Sequence, residues 1–118
     1  MAVLQIKMNL LKWVKIVSVE RNYNSNNEFY QPKSGKEFVK VSIKIENKSS
    51  EKLSYNSYDW ELQDSDGDIQ SIDAGLQFTV DGALNSGDLA PNGKKSADLY
   101  FQVPKDDANL MLHYKASF

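Results

Sequence analysis

The sequence predicts an all-β fold, an antiparallel β-sandwich, and three runs of alternating residues carry that prediction. Val39, Val41, Ile43 and Ile45 are separated by Lys40, Ser42 and Lys44. Tyr58, Trp60 and Leu62 are separated by Asp59 and Glu61, and Ala97, Leu99, Phe101 and Val103 by Asp98, Tyr100 and Gln102. Successive residues of a strand point to opposite sides, so a period of two gives one dry face and one wet face. Several such strands divided by polar turns stack as two sheets around one core. The alternation places Val39, Val41, Ile43, Ile45, Trp60, Leu62, Leu99, Phe101, Val103, Leu112 and Tyr114 inward. Burying one such side chain contributes about 1.5–3 kcal/mol.

The remaining elements follow in chain order. Val3 to Met8 reads as a short strand and Trp13 to Tyr23 as a longer one. The adjacent apolar Ile16 and Val17 interrupt the alternation of the second, as a β-bulge does. Asn24 to Glu37 is a loop rich in Asn and Ser, broken by Pro32 and Gly35. Phe38 to Glu46 is the strongest strand, and the polar Asn47 to Leu53 turns the chain. Tyr58 to Gln63 is the next strand, and Asp64-Ser65-Asp66-Gly67 closes a hairpin into Asp68 to Ile72. Leu76 to Val80 reads as another short strand, and Asn85 to Lys95, with Gly87, Pro91 and Gly93, as a long connection. Ser96 to Val103 is a strand stopped by Pro104, which has no N–H for the ladder. Lys105 to Asn109 turns, and Leu110 to Phe118 closes the chain as a strand. No repeat and no linker divides residues 1–118, so the expectation is one domain.

Composition narrows the function classes. Fourteen Lys and Arg stand against 16 Asp and Glu, for a net charge of -2. The basic residues are scattered among acids, without the clustered basic face that nucleic-acid binding needs. Cysteine is absent, which removes thiol catalysis, thiolate metal sites and disulfides. No stretch approaches the roughly 18 apolar residues that span a bilayer. Met1 to Val14 is interrupted by Lys7, Asn9 and Lys12, so no apolar export segment is visible there. A lipid anchor would have to come from a longer precursor.

A resemblance emerges from the second half. Val41-Ser42-Ile43-Lys44-Ile45-Glu46-Asn47 is followed by Trp60-Glu61-Leu62-Gln63-Asp64-Ser65-Asp66-Gly67. Then come Gly87-Asp88-Leu89-Ala90-Pro91-Asn92-Gly93 and Leu99-Tyr100-Phe101-Gln102-Val103-Pro104. In this order and spacing the set resembles the DUF4352 family of bacterial extracytoplasmic domains over roughly residues 13 to 115. Its members are similar to secreted immunoglobulin-like antigens of the MPT63 type. The resemblance implies an immunoglobulin-like β-sandwich, secreted or lipid-anchored at the bacterial cell surface. It brings no catalytic residues and no cofactor. The family's Pro-Gly turn stands here as Pro91-Asn92-Gly93.

Candidate chemistry is sparse. Asp64, Asp66 and Asp68 alternate as hard-cation ligands can, but Gly67 falls at the fourth position of an EF-hand register, where the sixth is required. Asp-Gly is also the residue pair of a tight turn, and that is the expectation. His113 is the only histidine, and the pattern Leu110, Leu112, Tyr114 leaves it on the polar face with Met111 and Lys115. Asp106-Asp107 reads as a pair of solvated turn acids, and Asn47-Lys48-Ser49 as a polar turn. No catalytic, cofactor or metal residue is therefore expected. The segment Asn22 to Glu37 is the exception in kind. Tyr23, Phe29 and Tyr30 stand among Asn and Ser, a composition like that of antibody contact loops. Either Phe29 or Tyr30 folds back to plug one end of the sandwich, or Tyr23 and Tyr30 anchor a partner. The leading expectation is a non-enzymatic extracytoplasmic binding domain for a protein or other cell-envelope partner. A carboxylate-dependent hydrolase and a structural spacer of an envelope assembly are the alternatives.

Overall fold

In the computed structural model, residues 3–7 and 12–114 are described. Among the described residues, nine strands form sheets of four, three and two strands. The first sheet runs β1 (Val3–Lys7), β9 (Asn109–Tyr114), β5 (Trp60–Gln63), β6 (Ile69–Ser71). The second runs β2 (Lys12–Glu20), β3 (Lys36–Asn47), β8 (Lys94–Pro104). A small pair joins β4 (Leu53–Tyr55) to β7 (Gly87–Leu89). The last four residues of the expected final strand, and Met8 of the first, lie outside the described residues.

The long alternating runs sit where the period of two puts them. Val39, Val41, Ile43 and Ile45 of β3 meet Leu99, Phe101 and Val103 of β8 and Trp60, Leu62, Leu110 and Leu112 of the facing sheet in one core. Trp60 is 1% exposed, and its ring tilts against half-buried Tyr114 with centroids 4.9 Å apart. The bulge falls at the expected place. The β2–β3 register slips between Ile16 and Ser18 and turns Val17 out to solvent.

Besides an unexpected β4, and a 3₁₀ turn at Ser57–Asp59 that leaves Tyr58 55% exposed and starts the expected Tyr58 to Gln63 strand only at Trp60, four features differ from the sequence reading. First, β1 pairs with β9 in parallel, unlike the other ladders. Strands from opposite ends of a chain have no hairpin to impose an antiparallel sense. Second, Leu76 to Val80 is not a strand: a helical turn, α1 (Ala74–Gln77), occupies its start. Asp73 caps it, its carboxylate accepting from Leu76 N at 3.1 Å. Third, the connection 85–95 contains β7. Fourth, Tyr100, on the nominally wet face of β8, is 1% exposed.

Buried polar side chains hold these departures in place. Gln77 donates to the carbonyls of Leu84 (3.0 Å) and Asp98 (2.9 Å) and accepts from Tyr100 N (2.8 Å). It thereby fastens segment 72–84 to the edge of β8. Asn47 donates to the carbonyls of Glu51 and Leu89 and accepts from Ser49 N, tying the turn after β3 to β7.

Candidate functional site

The Asn-rich segment after β2 lies against the outer face of β3 and β8. On that face, Phe38 of β3 and Tyr100 of β8 join Leu76 of α1 in a second apolar cluster, with Tyr23 and Tyr30 packed on it. The Tyr30 ring stacks on Phe38 (centroids 5.5 Å, interplanar angle 13°). The Tyr23 ring tilts onto Tyr100 at 5.1 Å. Tyr30 Oη donates to the Asp73 carboxylate at 2.7 Å. Burial and that hydrogen bond push the Tyr30 hydroxyl up to about 12, so it stays a neutral donor. The cluster fits only because residue 75 is glycine: a Cβ there would overlap the Tyr30 ring.

Both tyrosines named from the sequence are thus half-buried and fold back onto the sheet. Their neighbour Phe29 does not, and its side chain is 90% exposed. The loop that presents it is braced by its own polar side chains. Asn24 Oδ1 accepts from Asn26 N (2.9 Å), and Asn27 Oδ1 from Phe29 N (2.9 Å). Ser25 Oγ donates to Tyr30 O (2.6 Å), and Gln31 donates to Asn27 O (2.8 Å). Asn22 and Asn26 take positive φ, 51° and 58°, which Asn tolerates better than most residues. These Asn and Ser side chains organise the loop itself. Between Phe29 and α1 runs a groove of about 370 Å³, floored by Leu76 and Val80.

The loop's base is an ionic clamp at one end of the sandwich. Arg21 Nε donates to Glu37 Oε1 at 2.6 Å, and its Nη1 to the carbonyl of Asp107 at 2.6 Å. Asn22 N and Asp106 N also donate to the Glu37 carboxylate. Burial pushes the Glu37 carboxyl up, but the bonds from Arg21, Asp106 and Asn22 outweigh it and hold the group below its ordinary value. Asp107 accepts from Ser65 N and Oγ and from Asn109 N. Burial raises that carboxyl too, and these bonds more than offset it, so it is also lowered. Three loops are joined by this clamp, and Asp107 is no free turn acid.

The other residues singled out in the sequence stand apart. Asp64 is buried, and its Oδ1 accepts from Asp66 N and Asp68 N at 3.0 Å each, building the turn. Gly67 takes the positive φ (86°) that the turn needs. Among the described residues, no three acids or histidines come together as a metal site. His113 is half-buried on the face away from the core, its Nε2 2.8 Å from Gln63 Oε1.

A sandwich of a four-stranded and a three-stranded sheet, with a small strand pair beside them, that carries its loops at the ends and on one outer face belongs to the immunoglobulin-like class of scaffold. The chain belongs to the DUF4352 family, a domain of unknown function, whose model matches residues 11–118. No curated protein matches it in sequence. Its fold is similar to the yjhA protein of Bacillus subtilis, with TM-score 0.66 and 15% identity over 88% of this chain and 72% of that one. It is also similar to a candidate lipoprotein, ycdA, of Bacillus subtilis (TM-score 0.66, 20% identity), covering 86% of this chain but only 30% of that one. An uncharacterized β-sandwich protein of Clostridium difficile matches end to end, 98% and 97%, with TM-score 0.50 and 15% identity. At these identities the likeness is one of fold.

Proposed function

We propose that this domain is a non-enzymatic, extracytoplasmic interaction module that grips a cell-envelope protein through the loop 22–37. The observation that carries the reading is Phe29, 90% exposed at the tip of a loop whose backbone is already braced. A large aromatic left in water forgoes about 1.5–3 kcal/mol, which a partner can recover. Bracing spares the entropy of ordering the loop on binding. Tyr30 and Tyr23 serve behind it, holding the tip on the sheet and offering what remains of their rings to the rim of the contact. An extracytoplasmic setting is supported by the candidate lipoprotein of similar fold. The non-enzymatic reading is supported by the acids of the clamp. Glu37 and Asp107 spend their oxygens on structural hydrogen bonds from Arg21, Asn22, Asp106, Ser65 and Asn109.

The test is retention of envelope proteins by the immobilised domain and by its Phe29→Ala variant. The variant should melt within about 2 °C of the parent, since an exposed side chain contributes little to stability. It should retain the partner at least about tenfold more weakly, the effect of losing a hot-spot aromatic. Equal retention by both proteins would overturn the reading.

A further inference from the structure

Away from the loop, β4, β7 and the 3₁₀ turn Ser57–Asp59 frame an open cleft of about 540 Å³. That volume is within the usual range of small-ligand sites. Its form follows from three local choices. Tyr55 of β4 lies opposite Gly87 of β7, and a Cβ at Gly87 would run into the Tyr55 ring. The glycine therefore makes room for that ring, which packs on the main core and also lines the cleft. Asn56 caps the 3₁₀ turn, its Oδ1 accepting from Tyr58 N at 2.9 Å, and so fixes where Tyr58 leaves the backbone. Tyr58 is 55% exposed and leans on Phe78, itself 51% exposed, with centroids 5.7 Å apart. Single exposed aromatics are ordinary, but two in contact, of which Tyr58 lines the cleft, form a continuous surface.

The charged residues lining the cleft are Asp59 and Asp88, both acidic. Asp59 has no ion-pair partner among the described residues. Asp88 accepts from Ser54 Oγ at 2.7 Å and has Lys52 4.0 Å away, on a side chain that is 71% exposed. So loose an exposed pair neutralises little. The geometry points to a site for an organic cation, an ammonium or guanidinium group laid against the Tyr55 and Tyr58 rings and neutralised by Asp59 and Asp88. Aromatic faces attract such cations through the ring quadrupole, and nearby carboxylates add direct charge attraction. The same two carboxylates repel phosphate and other anions. The group would come from an arginine or lysine side chain of a protein or from a small free amine. The site is separate from the Phe29 loop and does not depend on the reading of that loop.

Titration of the full chain, followed by backbone amide NMR, tests this. The probes are N-acetyl-arginine amide, tetramethylammonium, the neutral isostere N-acetyl-citrulline amide, and N-acetylglucosamine. The arginine or tetramethylammonium probe should shift the amides of Tyr55, Tyr58 and Gly87, and the citrulline probe should bind at least about tenfold more weakly. A stronger response to arginine assigns the source to a protein side chain, and a stronger response to tetramethylammonium to a free amine. Asp59→Asn, which keeps the shape of the residue, should weaken the better cation at least about fivefold, as should Tyr58→Ala, while Phe29→Ala should leave it unchanged. The proposal is overturned if citrulline or the sugar binds as well as the cations. It is equally overturned if no cation shifts these amides by about 10 mM, or if Asp59→Asn folds and binds the cation as the parent does.

Discussion

Gln77 shows how much one side chain does here. It sits fully buried in a helical turn and satisfies two carbonyls and one N–H of neighbouring segments. Leaving buried backbone groups without partners costs about 1–3 kcal/mol each. Gln77→Ala should therefore destabilise the domain by at least about 2 kcal/mol. In a thermal melt that is a loss of about 8 °C for a domain of this size. The residue lies in a stretch, Leu76 to Val80, that reads as a strand, and nothing local marks it as buried. Its partners stand 7 to 23 positions away. Trp60 is the opposite case: its neighbours Asp59, Glu61 and Leu62 announce its inward direction by alternation alone.

Two elements show why turns were easier to read than the loop. In the hairpin after β5, Asp64 and Gly67 make the turn by local chemistry, an Asx acceptor and a positive φ. Because Asp64 Oδ1 accepts from two backbone N–H groups and no three acids come together among the described residues, chelator and millimolar calcium should give the same melting temperature within error. A clear rise with calcium would mean that the cation binds the native state. The loop 22–37 was recognisable as a loop by its Asn, Ser, Pro and Gly, and its aromatics as notable. Which aromatic folds back was not legible, since Tyr30 is held by Phe38, Asp73 and the bare backbone of Gly75. Gly75→Ala tests that fit. The added methyl displaces the Tyr30 ring, and overpacking of this kind costs about 1–3 kcal/mol. Chemical denaturation should show that loss, with the Tyr30 amide and ring resonances changed.

For the whole molecule, the clamp of Arg21, Glu37 and Asp107 sets the response to acid. Both carboxyls are held below their ordinary values, 4.5 for Glu37 and 3.8 for Asp107. A depressed folded-state value means that the unfolded chain binds the proton more readily. Their contribution is therefore complete above about pH 4.5 and is lost as pH falls through the folded values below that. The melting temperature should fall on that acid side, and Glu37→Gln should lower it near neutral pH, with the gap to the parent closing as pH drops. A gap that stays constant with pH would remove Glu37 from the acid response.

The strands of the main core could be read from the chain because alternation is a local code. Val39 to Ile45 and Ala97 to Val103 each carry their own instruction to bury one face, and the Ile16-Val17 doublet its own bulge. The second cluster was beyond that code. Tyr100 obeys the alternation and points to the outer face, but Phe38, Leu76, Tyr23 and Tyr30 arrive there and make it dry. The same holds for the parallel pairing of β1 with β9, for α1, and for the exposure of Phe29 beside two half-buried tyrosines. A period of two says which side of a strand a residue faces; whether water or another segment waits on that side depends on contacts far apart in sequence, which only the folded chain brings together.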